Sequence, residues 1–329
     1  MIQRPSIDRR RALLVAAILG LLVVVPALGV ALGGPPGLFR AVMVGALAAF
    51  PATIRIGPRD GFLATLAAVG SALVALSLPP FVPVIALWMA ILGVAAGLAT
   101  GRGRQPVLLG APIAVAFVLA SEAASGGPVA WLPVLAGTLV GGLWFTAAAA
   151  LILRGRTGTG VPVAPGPVAV RYAAALGISL FAAGWLIAAA GDGHGYWLVS
   201  AIVAVFQPDP VATRRIGFTR VIATVAGAVA GVALVLADLP PGLLVLVVFA
   251  AAAIALYELL GGHSTGRAWI TLAIVAMGGQ ADGSTDVAFV RVTATVVAVL
   301  LVLMAIRLVP VLPGDGSPGA EGRREDPAA

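Results

Sequence analysis

The sequence predicts an all-α, polytopic membrane protein of about 12 transmembrane helices in two parallel six-helix repeats. Three observations carry that prediction. The chain is 60% hydrophobic and 10% charged, whereas soluble globular domains carry about 25% charged residues. Its apolar runs approach the roughly 20 residues needed to cross a 30 Å hydrocarbon core, and Gly/Pro turns such as GGPPG, SLPPF and ADLPPG separate them. Finally, PATIRIGPRDGFLAT at 51–65 recurs loosely as PVATRRIGFTRVIAT at 210–224, a self-similarity with a period of roughly half the chain.

In chain order, the first half offers apolar runs at 12–33, 38–54, 61–79, 82–100, 107–124 and 129–153. The second offers 167–190, 196–208, 217–238, 241–260, 268–280 and 287–310. The expected division is therefore a first six-helix unit at 1–160, a second at 161–312, and a polar, Pro/Gly-rich cytoplasmic tail at 313–329 that should be disordered. Six crossings per half return the chain to its starting side, so the repeats are parallel and their symmetry axis runs along the membrane normal.

Charge sets the orientation. All 20 basic residues are arginine, and basic residues concentrate in cytoplasmic loops. Arg4, Arg9, Arg10 and Arg11 precede the first run, and Arg55, Arg59, Arg102 and Arg104 fall in the next same-side loops. Arg154, Arg156 and Arg171 flank the centre. Arg214, Arg215, Arg220 and Arg267 read as loop residues of the second half, followed by Arg307, Arg323 and Arg324. Opposite loops carry Glu122, Asp192, Asp238, Asp282 and Asp286, with Arg40 and Arg291 as exceptions. Both termini are thus expected in the cytoplasm. Eleven further runs after the first argue for an uncleaved first helix rather than a signal peptide.

Composition also excludes chemistry. With no cysteine and two histidines, His194 and His263, thiol catalysis and disulfides are ruled out, and no metal site or other cofactor is expected. No hydrolase triad or phosphate loop appears, so an enzyme is not expected. The formal charge of +7 sets topology or meets anionic headgroups, and nucleic acid is not an expected partner. The lipid bilayer and a small organic anion are, and the sequence neither requires nor excludes a homo-oligomer.

Polar groups at membrane depth are the candidate site. The second run of each half looks too short to cross, because Leu38 to Phe50 and Tyr196 to Phe206 span 13 and 11 residues before Pro51 and Pro208, about 16 to 20 Å of helix. Broken backbone there would let Gln207 and Asp209 line a pathway, unless the helix bends and leaves Asp209 among headgroups. Arg291 either holds an anion or snorkels to the outer interface, with Asp286 and Asp282 as nearest partners in sequence. Glu258 either relays protons or is solvated at the interface, and the run at 268–280 is a second short one. Trp197, Trp185, Trp131 and Trp269 read as interfacial anchors, and Trp144 as packing or an aromatic platform.

Tyr196-Trp197, the short apolar run, Gln207-Pro208, Thr213, Arg214, Arg220, Thr224, Gly227 and Gly231 together resemble the fusaric-acid-resistance-like family, which includes aromatic acid exporters. The resemblance covers 167–310 well and the first half in outline. It implies a bacterial inner-membrane secondary transporter, exporting weak organic acids such as aromatic carboxylates by proton coupling. Two features depart from the family. Ala223 stands where glycine is frequent, and the large cytoplasmic segment between halves is reduced to the linker around RGRTGTGVPVAPG.

On that expectation Arg291 attracts the carboxylate and Gln207 hydrogen-bonds it. Trp197 and Asp209 line the site, and Asp209, Asp286 or Glu258 carries the proton. The alternatives are an anion channel, since plant malate channels look distantly related, and a membrane scaffold for a partner system.

Overall fold

The computed structural model describes residues 18, 36–121, 123–152, 160–190, 195–260, 265–282 and 284–309. Among them the regular structure is helical, with no strand. The helices are α1 (Pro36–Arg55), α2 (Pro58–Ser77), α3 (Val82–Ala99), α4 (Gln105–Leu108), α5 (Gly110–Leu119) and α6 (Ala123–Ile152). They continue as α7 (Gly166–Ala190), α8 (Gly195–Val205), α9 (Pro210–Leu236), α10 (Pro241–Leu260), α11 (Gly266–Asp282) and α12 (Ser284–Leu308). Each expected apolar run within the described residues is helical. Of these helices, α2, α3, α6, α7, α9 and α12 are long and apolar enough to cross a membrane. The expected first span apart from Ile18, the tail at 313–329, Arg154, Arg156, Asp192, His194 and His263 lie outside the described residues.

Small residues bring the helices together. Along α3 and α7, a side chain at Gly93 would meet Leu176 and Gly177, one at Gly97 would meet Ala173, and one at Gly184 would meet Ala86 and Met89. Those pairs run antiparallel and let the two backbones touch, the packing expected where apolar burial gives helices no preference over lipid. Gly227 meets Ala268 and Thr271, and Gly231 meets Leu272 and Val275, so α9 and α11 run parallel. Gly217 faces Val205 of α8 and Val299 of α12. Ala228 shares a buried cluster with Val287 and Ala288, which makes α9 and α12 antiparallel. These directions are those of a chain that reverses at every crossing. The surface is correspondingly apolar, with Val129, Leu132, Phe218 and Phe289 each well exposed, the composition of a lipid-facing exterior.

Helix pairing recurs along the chain. α1 packs on α6, and α2 on α5 and α6; later, α8 packs on α12, and α9 on α11 and α12. α7, placed by the sequence in the second unit, packs chiefly on α3 of the first. The segment before α7 is also tied to the first unit, by the Gly160 N–H to the Arg55 carbonyl at 3.0 Å and the Ala164 N–H to the Thr100 carbonyl at 3.2 Å.

The two short second runs turn out differently. α8 is indeed short, with 11 residues or about 16 Å. α1 instead continues through Pro51 to Arg55, 20 residues in all, so the expected break at Pro51 does not occur. Proline removes one helical donor, the bond to the Leu47 carbonyl. The surrounding turn is held by the Thr53 hydroxyl, which donates to the Ala49 carbonyl at 2.8 Å. In the second copy Pro208 disfavours a helical Gln207. Asp209 then caps a new helix whose first residue is Pro210, so α9 begins seven residues before the apolar pattern does.

Candidate functional site

The polar segment between α8 and α9 is built around Thr213. Its hydroxyl accepts the Gln207 N–H at 3.0 Å and lies 3.0 Å from the carbonyls of Gln207 and Asp209. Gln207 lines a small pocket with Arg171, Tyr172, Phe206, Pro208 and Ile306. Tyr172 stacks on Phe206 at 5.0 Å, donates to the Phe206 carbonyl at 3.3 Å and accepts from Gln105 of α4. Asp209 is exposed, and both carboxylate oxygens accept backbone N–H groups, Val211 at 3.0 Å and Ala212 at 3.1 Å. It is a helix cap, which accounts for its presence before Pro210 without any role in a pathway.

Arg291 lies elsewhere. Ile306, at the Gln207 pocket, is 15 residues further along α12, about 22 Å away along the helix axis. The expected single site of Gln207, Asp209 and Arg291 is therefore two separate places. Asp286 does not pair with Arg291 either. Five residues rotate a helix by about 140°, which puts the two on nearly opposite faces, and Asp286 is exposed. Glu258 is engaged locally, accepting the Thr265 hydroxyl at 2.9 Å.

Arg291 is instead buried, at 8% exposure, with its guanidinium carbon 3.9 Å from the Trp197 ring centroid. Trp197 stacks on Tyr196 at 4.6 Å, and Tyr196 meets Phe117 of α5 edge-on at 6.0 Å. Trp197 thus serves as a platform for a cation and not only as an interfacial anchor. The fit is incomplete, since the Arg291 Nε is buried without a hydrogen-bond acceptor.

Two further arginines belong to this place. Arg220 was expected in a loop but sits in the third turn of α9, about 15 Å from its start. Its Nε is also buried without a partner, and it lies within electrostatic reach of both Arg267 and Arg291. Arg267, half-buried on the first turn of α11, donates to the Thr219 hydroxyl at 3.1 Å. Among the described residues the ion pair is Arg104 with Asp60, at 3.9 Å, and no carboxylate pairs with these three arginines.

At the aligned place in the first copy of the repeat, 51–65, the residues differ. With Pro51 aligned on Pro210, Asp60 stands where Thr219 does, and Gly61 where Arg220 does. Asp60 is the carboxylate that meets Arg104. Gly61 packs against Thr53 and Thr146 with no room for a side chain. One copy holds a carboxylate and a glycine there; the other holds a threonine and an arginine. Comparing the two copies position by position, rather than noting only their likeness, would have singled out Arg220.

These groups lie in the part of the chain that can be compared with known proteins. Residues 178–305 match the fusaric acid resistance protein-like family. The resemblance read from 196–231 is thereby borne out. The fusaric acid resistance protein-like segment begins within α7 and ends near the close of α12, and it contains Trp197, Gln207, Arg220, Arg267 and Arg291. Comparison with curated proteins and with solved structures gives no match. Together, the family match and the apolar helices make this a multi-pass membrane protein. Among the described residues no three metal-ligating side chains gather.

Proposed function

We propose that this protein is a secondary transporter that exports weak organic anions across a bacterial inner membrane, with both termini in the cytoplasm. The observation that supports it is Arg291, a buried guanidinium with an aromatic platform and an unused donor. An ionisable residue kept at membrane depth with no carboxylate beside it among the described residues is costly to the fold, and a passing anion supplies a partner. In this reading two parallel six-helix units share an axis along the membrane normal, an arrangement that would fit such a pathway. With Asp209 capping α9 and Glu258 tied to Thr265, Asp286 is the remaining one of the three proton candidates to exchange a proton during the cycle.

Proteoliposomes loaded with labelled aromatic and aliphatic carboxylates test this directly. Saturable efflux driven by a pH gradient, lost in Arg291→Ala at normal protein level, is the expected result. Undiminished efflux in that variant removes Arg291 from the mechanism. Single-channel currents that run without a proton gradient replace the transporter with an anion channel.

A further inference from the structure

Arg220, Arg267 and Arg291 come from three helices, α9, α11 and α12, and Arg220 lies between the other two: Arg267 donates to the adjacent Thr219, and both Arg267 and Arg291 are within electrostatic reach of Arg220. Two of the three carry a buried Nε with no acceptor, and Arg291 itself is more than nine-tenths buried. The aromatic face of Trp197 and the hydroxyl of Thr219 satisfy one arginine each in part. Neither removes charge. In the aligned place of the first copy, by contrast, Gly61 stands for Arg220 and Asp60, a carboxylate, for Thr219. With no carboxylate among the described residues beside these three cations, a single carboxylate would offset one positive charge and leave two unanswered, whereas a dianion offsets two.

We infer that Arg220, Arg267 and Arg291 form one cradle that binds a small organic dianion, a molecule carrying two oxyanion groups. Arg291, with its guanidinium on Trp197, holds one oxyanion. Arg220 and Arg267 hold the other. The inference deepens the transport reading and rests on it in calling the dianion a substrate, but the binding site itself stands on the side-chain cluster.

The test is binding, not flux. The full chain is purified in detergent and titrated calorimetrically with matched pairs at pH 7.5: succinate against butyrate, and phthalate against benzoate. The dianion of each pair should bind at least about tenfold more tightly. Arg220→Gln and Arg267→Gln should each erase that preference while leaving the monoanion within about threefold, and Arg220→Lys should restore part of it. Equal affinities within each pair overturn the inference without needing any variant.

Lipid phosphate shares the same chemistry, so the titrations are repeated in nanodiscs of phosphatidylcholine and of phosphatidylglycerol. Dianion binding that survives in both supports a soluble ligand. Binding abolished by phosphatidylglycerol, and recovered by none of the soluble dianions, assigns the cradle to headgroups and overturns it. Dianion selectivity without any flux would leave the site and remove the transport reading. Flux of monoanions without selectivity would do the reverse.

Discussion

Replacing Arg291 by methionine should leave the protein about as stable as before, or more so. Three terms decide the sign. Losing the guanidinium from the Trp197 face, 3.9 Å away, costs up to about 2 kcal/mol in a desolvated setting. A thioether in the same place regains about 0.3 to 1.5 kcal/mol by sulfur–aromatic contact, and methionine's unbranched chain fills most of the vacated space. Removing a buried charged donor that has no acceptor returns about 1 to 3 kcal/mol, and repulsion from Arg220 disappears with it. With the full cation–π loss counted, the net runs from a loss of about 0.7 to a gain of about 2.5 kcal/mol. At about 2 °C per kcal/mol for a chain of this size, Tm should change by between about −1 and +5 °C. Thermal unfolding followed by circular dichroism in a single detergent reads it, and anion-dependent stabilisation should vanish in the same variant. A fall of more than about 5 °C would mean that Arg291 is held for packing, and the argument from an unused donor would fail.

Other substitutions probe the frame around the site. Asp209→Ala removes a cap whose two oxygens each accept an N–H, so it should cost about 1 kcal/mol. Because the cap is remote from Arg291, anion affinity measured by calorimetry should not change. Gly227→Leu drives a side chain into the Ala268 carbonyl and Thr271. It should cost at least about 3 kcal/mol, seen as loss of the monodisperse peak in detergent size-exclusion chromatography.

The helices were legible because lipid imposes a length and an apolar composition on each run. Their ends were less so, and each displaced end has a local chemical cause. The apolar pattern sets in seven residues after α9 begins, since Asp209, Pro210 and Thr213 start the helix with polar groups that hydropathy counts as loop. Pro51 and Pro208 look alike in sequence. Only Pro208 is followed by a capping residue and a second proline, and only there does the helix stop. Arg291 was legible as an ionisable group inside an apolar run, but its partner was not. Sequence neighbours suggested Asp286, whereas helical rotation carried Arg291 to Trp197, about a hundred residues away in the chain. Arg220 and Arg267 were hidden by the rule that oriented the chain. Basic residues near helix ends are ordinarily headgroup contacts, and only the packing of α9, α11 and α12 draws these two inward.

The union of α3 with α7 bears on how such a molecule moves. Gly93, Gly97, Gly177 and Gly184 let two backbones mesh so closely that neither helix slides past the other without lifting a turn out of its groove. A cycle in which residues 1–160 rock as one block against 161–312 would have to break that mesh on every turnover. A body that contains α3 therefore takes α7 with it. α12 joins the same body, since Val299, Val302 and Ala305 are buried in one cluster with Leu176 and Leu180 of α7 and Met89 of α3, so the boundary between the repeats does not divide the core.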